Sequence, residues 1–222
     1  PKQAAPAKID HRLIPLRHRD KLQFIVQIAK HLNPYLAIIF TNTKEEADEV
    51  AMALYNHNMN VEKLHGGLTP RERKRVMRLL RDAEIQYLVA TDLAARGIDI
   101  EGISHIINYS LPKDLDFYIH RVGRSARAGL DGIAYTIFSE EDHGAIEKLM
   151  KRGIEFSFYD LKNGEWIEIE KPPLPLKTEK KRPKKQEMEY MYIPLPKKVK
   201  PGYKKKRLKQ MEKRFQRIHK KR

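Results

Sequence analysis

The chain has 222 residues, 41% of them apolar, which suffices for one well-buried domain with an appendage and excludes two large cores. Its formal net charge of +16 is unevenly held: residues 171–222 carry 21 Lys/Arg against 4 Asp/Glu, leaving 24 against 25 for residues 1–170. No apolar run approaches the roughly 18 residues of a membrane span, no signal-peptide pattern opens the chain, and cysteine is absent, so disulfide and thiolate–metal chemistry are excluded and a cytoplasmic protein without a membrane role is expected.

Residues 1–8 are a Pro/Ala/Lys lead-in without periodicity, as expected of a segment cut from a longer polypeptide. Over residues 9–166, short β-branched and aromatic runs alternate with helical spacing. LIPL at 13 is followed by Leu22, Ile25, Ile28, Ala29 and Leu32 at intervals of three and four, and AIIF at 37 is followed by Thr43 capping KEEADEV. VEKLHG at 61 runs into the glycine pair Gly66-Gly67, read as a tight turn, and Thr69-Pro70 then opens RERKRVMRLL. YLVAT at 87, HIINYS at 105, Asp114 as the cap of LDFYIHR, and IAYTIF at 133 complete the pattern. Such alternation predicts an α/β fold whose mainly parallel sheet is covered on both faces, with ligands at the carboxyl ends of the strands.

The pattern then fails. Residues 167–202, including KPPLPLKTEKKRPKKQ, read as an irregular Pro/Lys-rich linker. Residues 203–222 form a basic amphipathic tail with Leu208, Met211, Phe215 and Ile218 at helical spacing. A block this basic favours a polyanion, because each cation that displaces a condensed counterion from a phosphate backbone gains affinity. Four apolar anchors in so dense a charge field make a membrane surface the poorer partner.

The stretch HRVGRSARAG, residues 120–129, places His120, Arg124 and Arg127 within about 60° of one another on a helix, with Arg121 roughly a quarter turn away. Alone, this is as readily a solvated helix end whose cations complement the dipole. Upstream lies YLVATDLAARGIDI, a strand ending in Thr91-Asp92 and turning through small residues to Gly97, where main-chain N–H groups could meet phosphate, and to Asp99, which could accept from a ribose. Taken alone, ATDLAARG is equally a tight strand-to-helix turn.

Together these stretches resemble motifs V and VI of the DEAD-box RNA helicases, and AIIFTNTKEEAD at 37–48 resembles motif IV; more narrowly, the chain resembles a bacterial cold-shock type with a basic C-terminal extension. The resemblance covers about residues 10–165 and implies the second, C-terminal RecA-like domain, a three-layer sandwich, in an ATP-dependent RNA helicase. By the same resemblance, Arg124 and Arg127 would act catalytically at the γ-phosphate, and Gly97 and Asp99 would bind the nucleotide. His120 and Arg121 would face the N-terminal RecA-like domain. Phe40, Thr41, Asn42, Thr43, Arg73, Thr91 and Gly97 would line the RNA, structured or single-stranded. Phe40 also ends an apolar strand and reads as core, and Thr43 also reads as a helix cap. Two departures stand out: Ala126 where the family has glycine, and Pro70 where a glutamine commonly opens the element ending at Arg73, a change that removes an amide and a backbone donor.

No G-x-x-x-x-G-K-[ST] loop occurs. The acids of EEAD at 45–48 begin a helix, where they favour its dipole, instead of ending an apolar strand. ATP is therefore expected to be shared with, and Mg²⁺ held by, the N-terminal domain, and this chain alone is expected to be inactive. Ribosomes or ribosomal precursors are a further expected partner. The alternative is a nucleotide-independent RNA- or ribosome-binding module driven by the tail. A DNA helicase of the same superfamily fits ARGID and the His-Arg opening less well.

Overall fold

The computed structural model describes residues 8–96, 102–125 and 132–172. Their elements run β1 (Ile9–Pro15), α1 (Lys21–Leu32), β2 (Ala37–Thr41), α2 (Lys44–Asn56), β3 (Val61–Leu64), α3 (Pro70–Arg81), β4 (Tyr87–Thr91), α4 (Asp92–Ala95), β5 (His105–Asn108), α5 (Asp116–Val122), β6 (Gly132–Phe138), a 3₁₀ turn (Glu140–Asp142), α6 (His143–Lys151), β7 (Phe156–Lys162) and β8 (Glu165–Glu168).

The strands form one sheet in the order β3-β4-β2-β5-β6-β1-β7-β8. Every pairing is parallel except the terminal β7–β8 hairpin. Period-two alternation divides the strand side chains between two cores. Ile38, Phe40, Leu88, Ala90 and Ile106 pack with Val76 and Leu80 of α3, Tyr118 and Val122 of α5, and Ile146 and Leu149 of α6. Ile39, Val89, Ile107 and Ile137 pack with Phe24, Ile25 and Ile28 of α1 and with Val50 and Leu54 of α2. Both faces are thus buried, which is why β2 and β4 are almost unbroken apolar runs.

Capping follows the sequence closely. Thr43 Oγ1 accepts from Glu46 N–H at the start of α2, and Thr69 and Glu72 form a reciprocal capping box at α3 with Pro70 in the first turn. At α5 the assignment shifts by one residue: Leu115 is the cap, and Asp114 Oδ1 accepts from Asp116 N–H at 3.0 Å.

Two features depart from the sequence reading. The hairpin β7–β8 was not anticipated as strands, although its turn, Asn163-Gly164, has both φ values positive (52° and 85°), the signature of a two-residue type I′ connection. Helix α5 stops at Val122. Beyond it the N–H groups of Arg124 and Ser125 donate to the carbonyls of Arg121 and Val122, a tighter three-residue spacing, so Arg124 lies in a turn and not on a continuing helix face. Arg127, Gly97 and Asp99 lie outside the described residues, as do the linker from residue 173 onward and the tail.

Candidate nucleotide and RNA site at the carboxyl edge of the sheet

The strands β2, β4 and β5 end side by side, with Thr41 opposite Thr91 and Phe40 opposite Asn108. Chain reversals at these ends bring Asn42, Asp92 and Ser110 to one edge, where α5 lays its last turn across them. The result is a cleft of about 220 Å³ lined by Phe40, Asp92, Ala95, Arg96, Phe117, His120, Arg121 and Arg124. His120 is exposed and Arg124 is half-buried, and both open into this cleft although they no longer share a helix. Three guanidiniums and an imidazole against one carboxylate suit an anionic ligand.

Arg121 is the organising side chain. It is 1% exposed, the largest fully buried side chain among the described residues. Its Nε and Nη2 donate to the two carboxylate oxygens of Asp92 at 2.5 and 2.7 Å. Nη1 donates to Asn108 Oδ1 at 3.1 Å and to the Ser110 carbonyl at 2.7 Å, and Nη2 reaches Asn42 Oδ1 at 3.2 Å. A guanidinium has five N–H groups, and all five are used inside the domain. Arg121, expected at the face toward the N-terminal domain, spends its donors within this one: they fasten the ends of three strands together, and the buried charge is matched by a fork-to-fork carboxylate. The Phe40 ring lies beneath it, 5.0 Å from the guanidinium carbon.

The residues expected along RNA divide into two groups. Phe40 and Thr41 are 2% and 0% exposed, and Thr41 Oγ1 donates to the Thr43 carbonyl, so these two side chains do not reach a surface where a strand could touch them. Phe40 forms the cleft floor instead. Asn42, Arg73 and Thr91 are half-buried and Thr43 is exposed. Asn42 is held on three sides: its N–H donates to Glu46, its amide NH₂ to the Leu111 carbonyl, and its amide oxygen accepts from Arg121. Arg73 donates to the Ala94 carbonyl at 3.0 Å, tying α3 to the turn after β4.

The acids of EEAD have structural partners. Glu46 fixes Asn42 and Ser110. Asp48 bonds Lys63, and His65 at 3.0 Å, and the hydrogen bond from Lys63 is the main cause that holds its carboxyl below the usual range. His65 is 5% exposed and its Nδ1 accepts from Gly67 N–H, which fixes Nε2 as the proton-bearing nitrogen and fastens the glycine turn. Among the described residues no group of three acidic, thiol or imidazole side chains could hold a metal ion.

Sequence reasoning missed Asp92, Asn108, Arg96 and Phe117 as members of the site. A lone Asn in the apolar run HIINYS was the available signal for Asn108, since a buried amide needs partners; Asn108 indeed donates to Thr136 Oγ1 at 3.0 Å while accepting from Arg121.

Residues 20–129 match the family model described as Helicase conserved C-terminal domain. The chain is 53% identical over 213 residues to the DEAD-box ATP-dependent RNA helicase CshB of Bacillus subtilis, covering 96% of this chain and 49% of that protein. It therefore spans about half the length of the curated relatives it matches. The E. coli DEAD-box protein SrmB, solved bound to regulator of ribonuclease activity A, is 34% identical with a TM-score of 0.58 over 68% of this chain and 88% of that one. S. cerevisiae Dbp5, solved bound to RNA and ADP BeF3, is 27% identical with a TM-score of 0.63 over 70% of this chain and 42% of that one. The chain belongs to the DEAD-box RNA helicase family, and its described residues form the family's C-terminal RecA-like domain.

Proposed function

We propose that this chain is the C-terminal half of an ATP-dependent RNA helicase, which closes on an N-terminal RecA-like half to complete the ATP and RNA sites and to separate short duplexes. The observation that carries this reading is the cleft at the carboxyl edge of the sheet, where Arg124, Arg96 and His120 converge over a floor built on Phe40 and Arg121. Its donors suit the terminal phosphate of ATP. The resemblance assigns that contact to Arg124 and Arg127, the ribose to Asp99 with Gly97 beside it, and His120 to the acidic motif of the other half. Mg²⁺ belongs to that other half.

ATP supplies the free energy of the cycle, and this domain contributes preorganisation. Arg121 holds the ends of β2, β4 and β5 rigid, so that Arg124 in the adjoining turn is aimed without further ordering when the halves meet. RNA would run along Asn42, Thr43, Thr91 and Arg73 on the same edge, with Gly97 assigned to the RNA by resemblance, which would couple strand binding to closure. The basic segment 171–222 would add non-specific affinity for RNA, ribosomal RNA included, in the cytoplasm. Among the described residues no helix is long and apolar enough to cross a membrane.

The test is phosphate release with and without RNA. The chain alone is expected at background, and joined in one polypeptide to an N-terminal half bearing the phosphate loop it is expected to show RNA-stimulated turnover. RNA-dependent release by the purified chain alone, or a joined protein whose turnover ignores RNA, would overturn the reading.

A further inference from the structure

Helix α3 has two unlike sides. Val76 and Leu80 face the core, and Arg73 turns inward to the Ala94 carbonyl. On the outer side Arg71, Lys74, Arg75, Arg78 and Arg81 are all exposed. At 100° per residue these five lie within an arc of about 120° and cover about 15 Å of helix length. Arg75 is clasped by both oxygens of Glu62. Among the described residues Arg71, Lys74, Arg78 and Arg81 have no carboxylate within ion-pair distance. The single acid of the helix, Glu72, is engaged in its capping box.

This clustering is hidden by the neutral total for residues 1–170. Like charges three and four residues apart weaken a helix, and only the last-turn members Arg78 and Arg81 are offset by the helix dipole. The strip has no aromatic or large apolar side chain among its five members, so its partner must be recognised by charge. The chain's own segment 171–222, with 21 Lys/Arg against 4 Asp/Glu, has the wrong sign to cover it. The strip starts at Arg71 in the first turn of the helix, the same turn that carries Arg73 on its inward side.

We propose that the outer face of α3 is a docking strip for the phosphate backbone of RNA flanking the segment held at Arg73 and Thr91, a contact made outside the helicase motifs. The inference rests on the RNA-site reading above and adds to it a second stretch of the same RNA. Positioning would be its role, since phosphate contacts carry no base information.

The full chain is titrated with fluorescent RNAs of six and twenty nucleotides at several salt concentrations, comparing wild type with the triple variant Arg71→Gln, Arg78→Gln, Arg81→Gln and with the corresponding triple lysine variant. At ~0.1 M salt the glutamine triple is expected to bind the long RNA roughly ten- to a hundred-fold more weakly, with its log–log salt slope shallower by about 2, from three contacts at ~0.7 each. The short RNA should be little affected, and the lysine triple should bind like wild type, because a phosphate backbone accepts a point charge. Wild-type affinity of the glutamine triple for the long RNA overturns the strip while leaving the motif site standing, provided the short RNA still binds. Equal losses for both lengths overturn it as general electrostatics, and a lysine triple as weak as the glutamine triple overturns a backbone contact. Unchanged RNA binding with lost binding of poly-glutamate would reassign the face to an acidic protein. Failure of wild type to bind either RNA removes the RNA-site reading and the strip together.

Discussion

Arg121 and Arg124 stand three residues apart in one arginine-rich stretch, yet the fold uses them in opposite ways. Arg121 is sealed under α5 with every donor engaged by Asp92, Asn108, Asn42 and the Ser110 carbonyl, whereas Arg124 follows the end of the helix and opens into the cleft. Gly123 separates them: its N–H closes the last helical turn on Ile119, and the tighter turn that follows redirects the next side chain outward. A buried charge becomes a scaffold where neighbouring strands end in acceptors for it.

The contrast can be broken most sharply at Arg124. In the joined enzyme, Arg124→Lys is expected to lower the turnover at saturating RNA by on the order of 10³ to 10⁵, the usual worth of a trans-acting arginine finger. That corresponds to about 4 to 7 kcal/mol. Near-normal turnover of the lysine variant would return Arg124 to a solvated turn.

Arg121→Met should do the reverse, because removing one partner leaves the Asp92 carboxylate poorly matched. A loss of roughly 3 to 5 kcal/mol in unfolding free energy is expected, read by urea denaturation of the isolated chain. A loss below about 1 kcal/mol, the usual range of an exposed pair, would mean that the hub is no more than a surface contact. Combining Arg121→Met with Asp92→Leu sharpens the point further. The double variant should be less destabilised than the sum of the singles, with a coupling of about 0.5 to 3 kcal/mol between groups in direct contact. Strict additivity would separate them energetically.

The smallest effect concerns how α5 is held from its other side, where His11 Nδ1 lies 2.9 Å from Tyr118 Oη. Burial holds the His11 imidazole below its ordinary value of 6.5, partly opposed by Asp10, and burial followed by Arg12 does the same to His105. Both are neutral in the folded protein where the unfolded chain would begin to bind protons. Their contribution is therefore complete above pH 6.5 and is lost as pH falls from there through the lowered folded values. Stability should decline as pH falls below about 6.5, and His11→Gln should flatten that decline without altering the Arg121–Asp92 coupling. A decline of unchanged slope would assign it to other groups.

Much of this was legible in the sequence. Six strands, the caps at Thr43 and Thr69 and the helical placement of EEAD follow from period, capping chemistry and dipole. The burial of Arg121 was not legible, because an arginine among arginines reads as surface, and its acceptors Asn42, Asp92 and Asn108 come from three separate strand ends. Phe40 and Thr41 were named for RNA on resemblance, while the apolar run AIIF that ends at Phe40 already spoke for the core. The β7–β8 hairpin carried its Asn-Gly signal, which was lost among the charged residues of a short edge strand.

The position of β1 in the sheet has a consequence for biosynthesis. The first strand inserts between β6 and β7, pairing Ile9 with Gly132, partners 132 − 9 = 123 residues apart. At about 5 to 20 residues per second, the N-terminal strand waits roughly 6 to 25 s before its neighbour leaves the ribosome. The strands β2, β4 and β5, which carry the hub, lie within a shorter span of chain and can pair earlier. Nascent chains paused before residue 132 would then hold the arginine-binding edge partly assembled with Leu13 and Ile14 still uncovered, a species that a chaperone would recognise and that cooling, by slowing synthesis, would prolong.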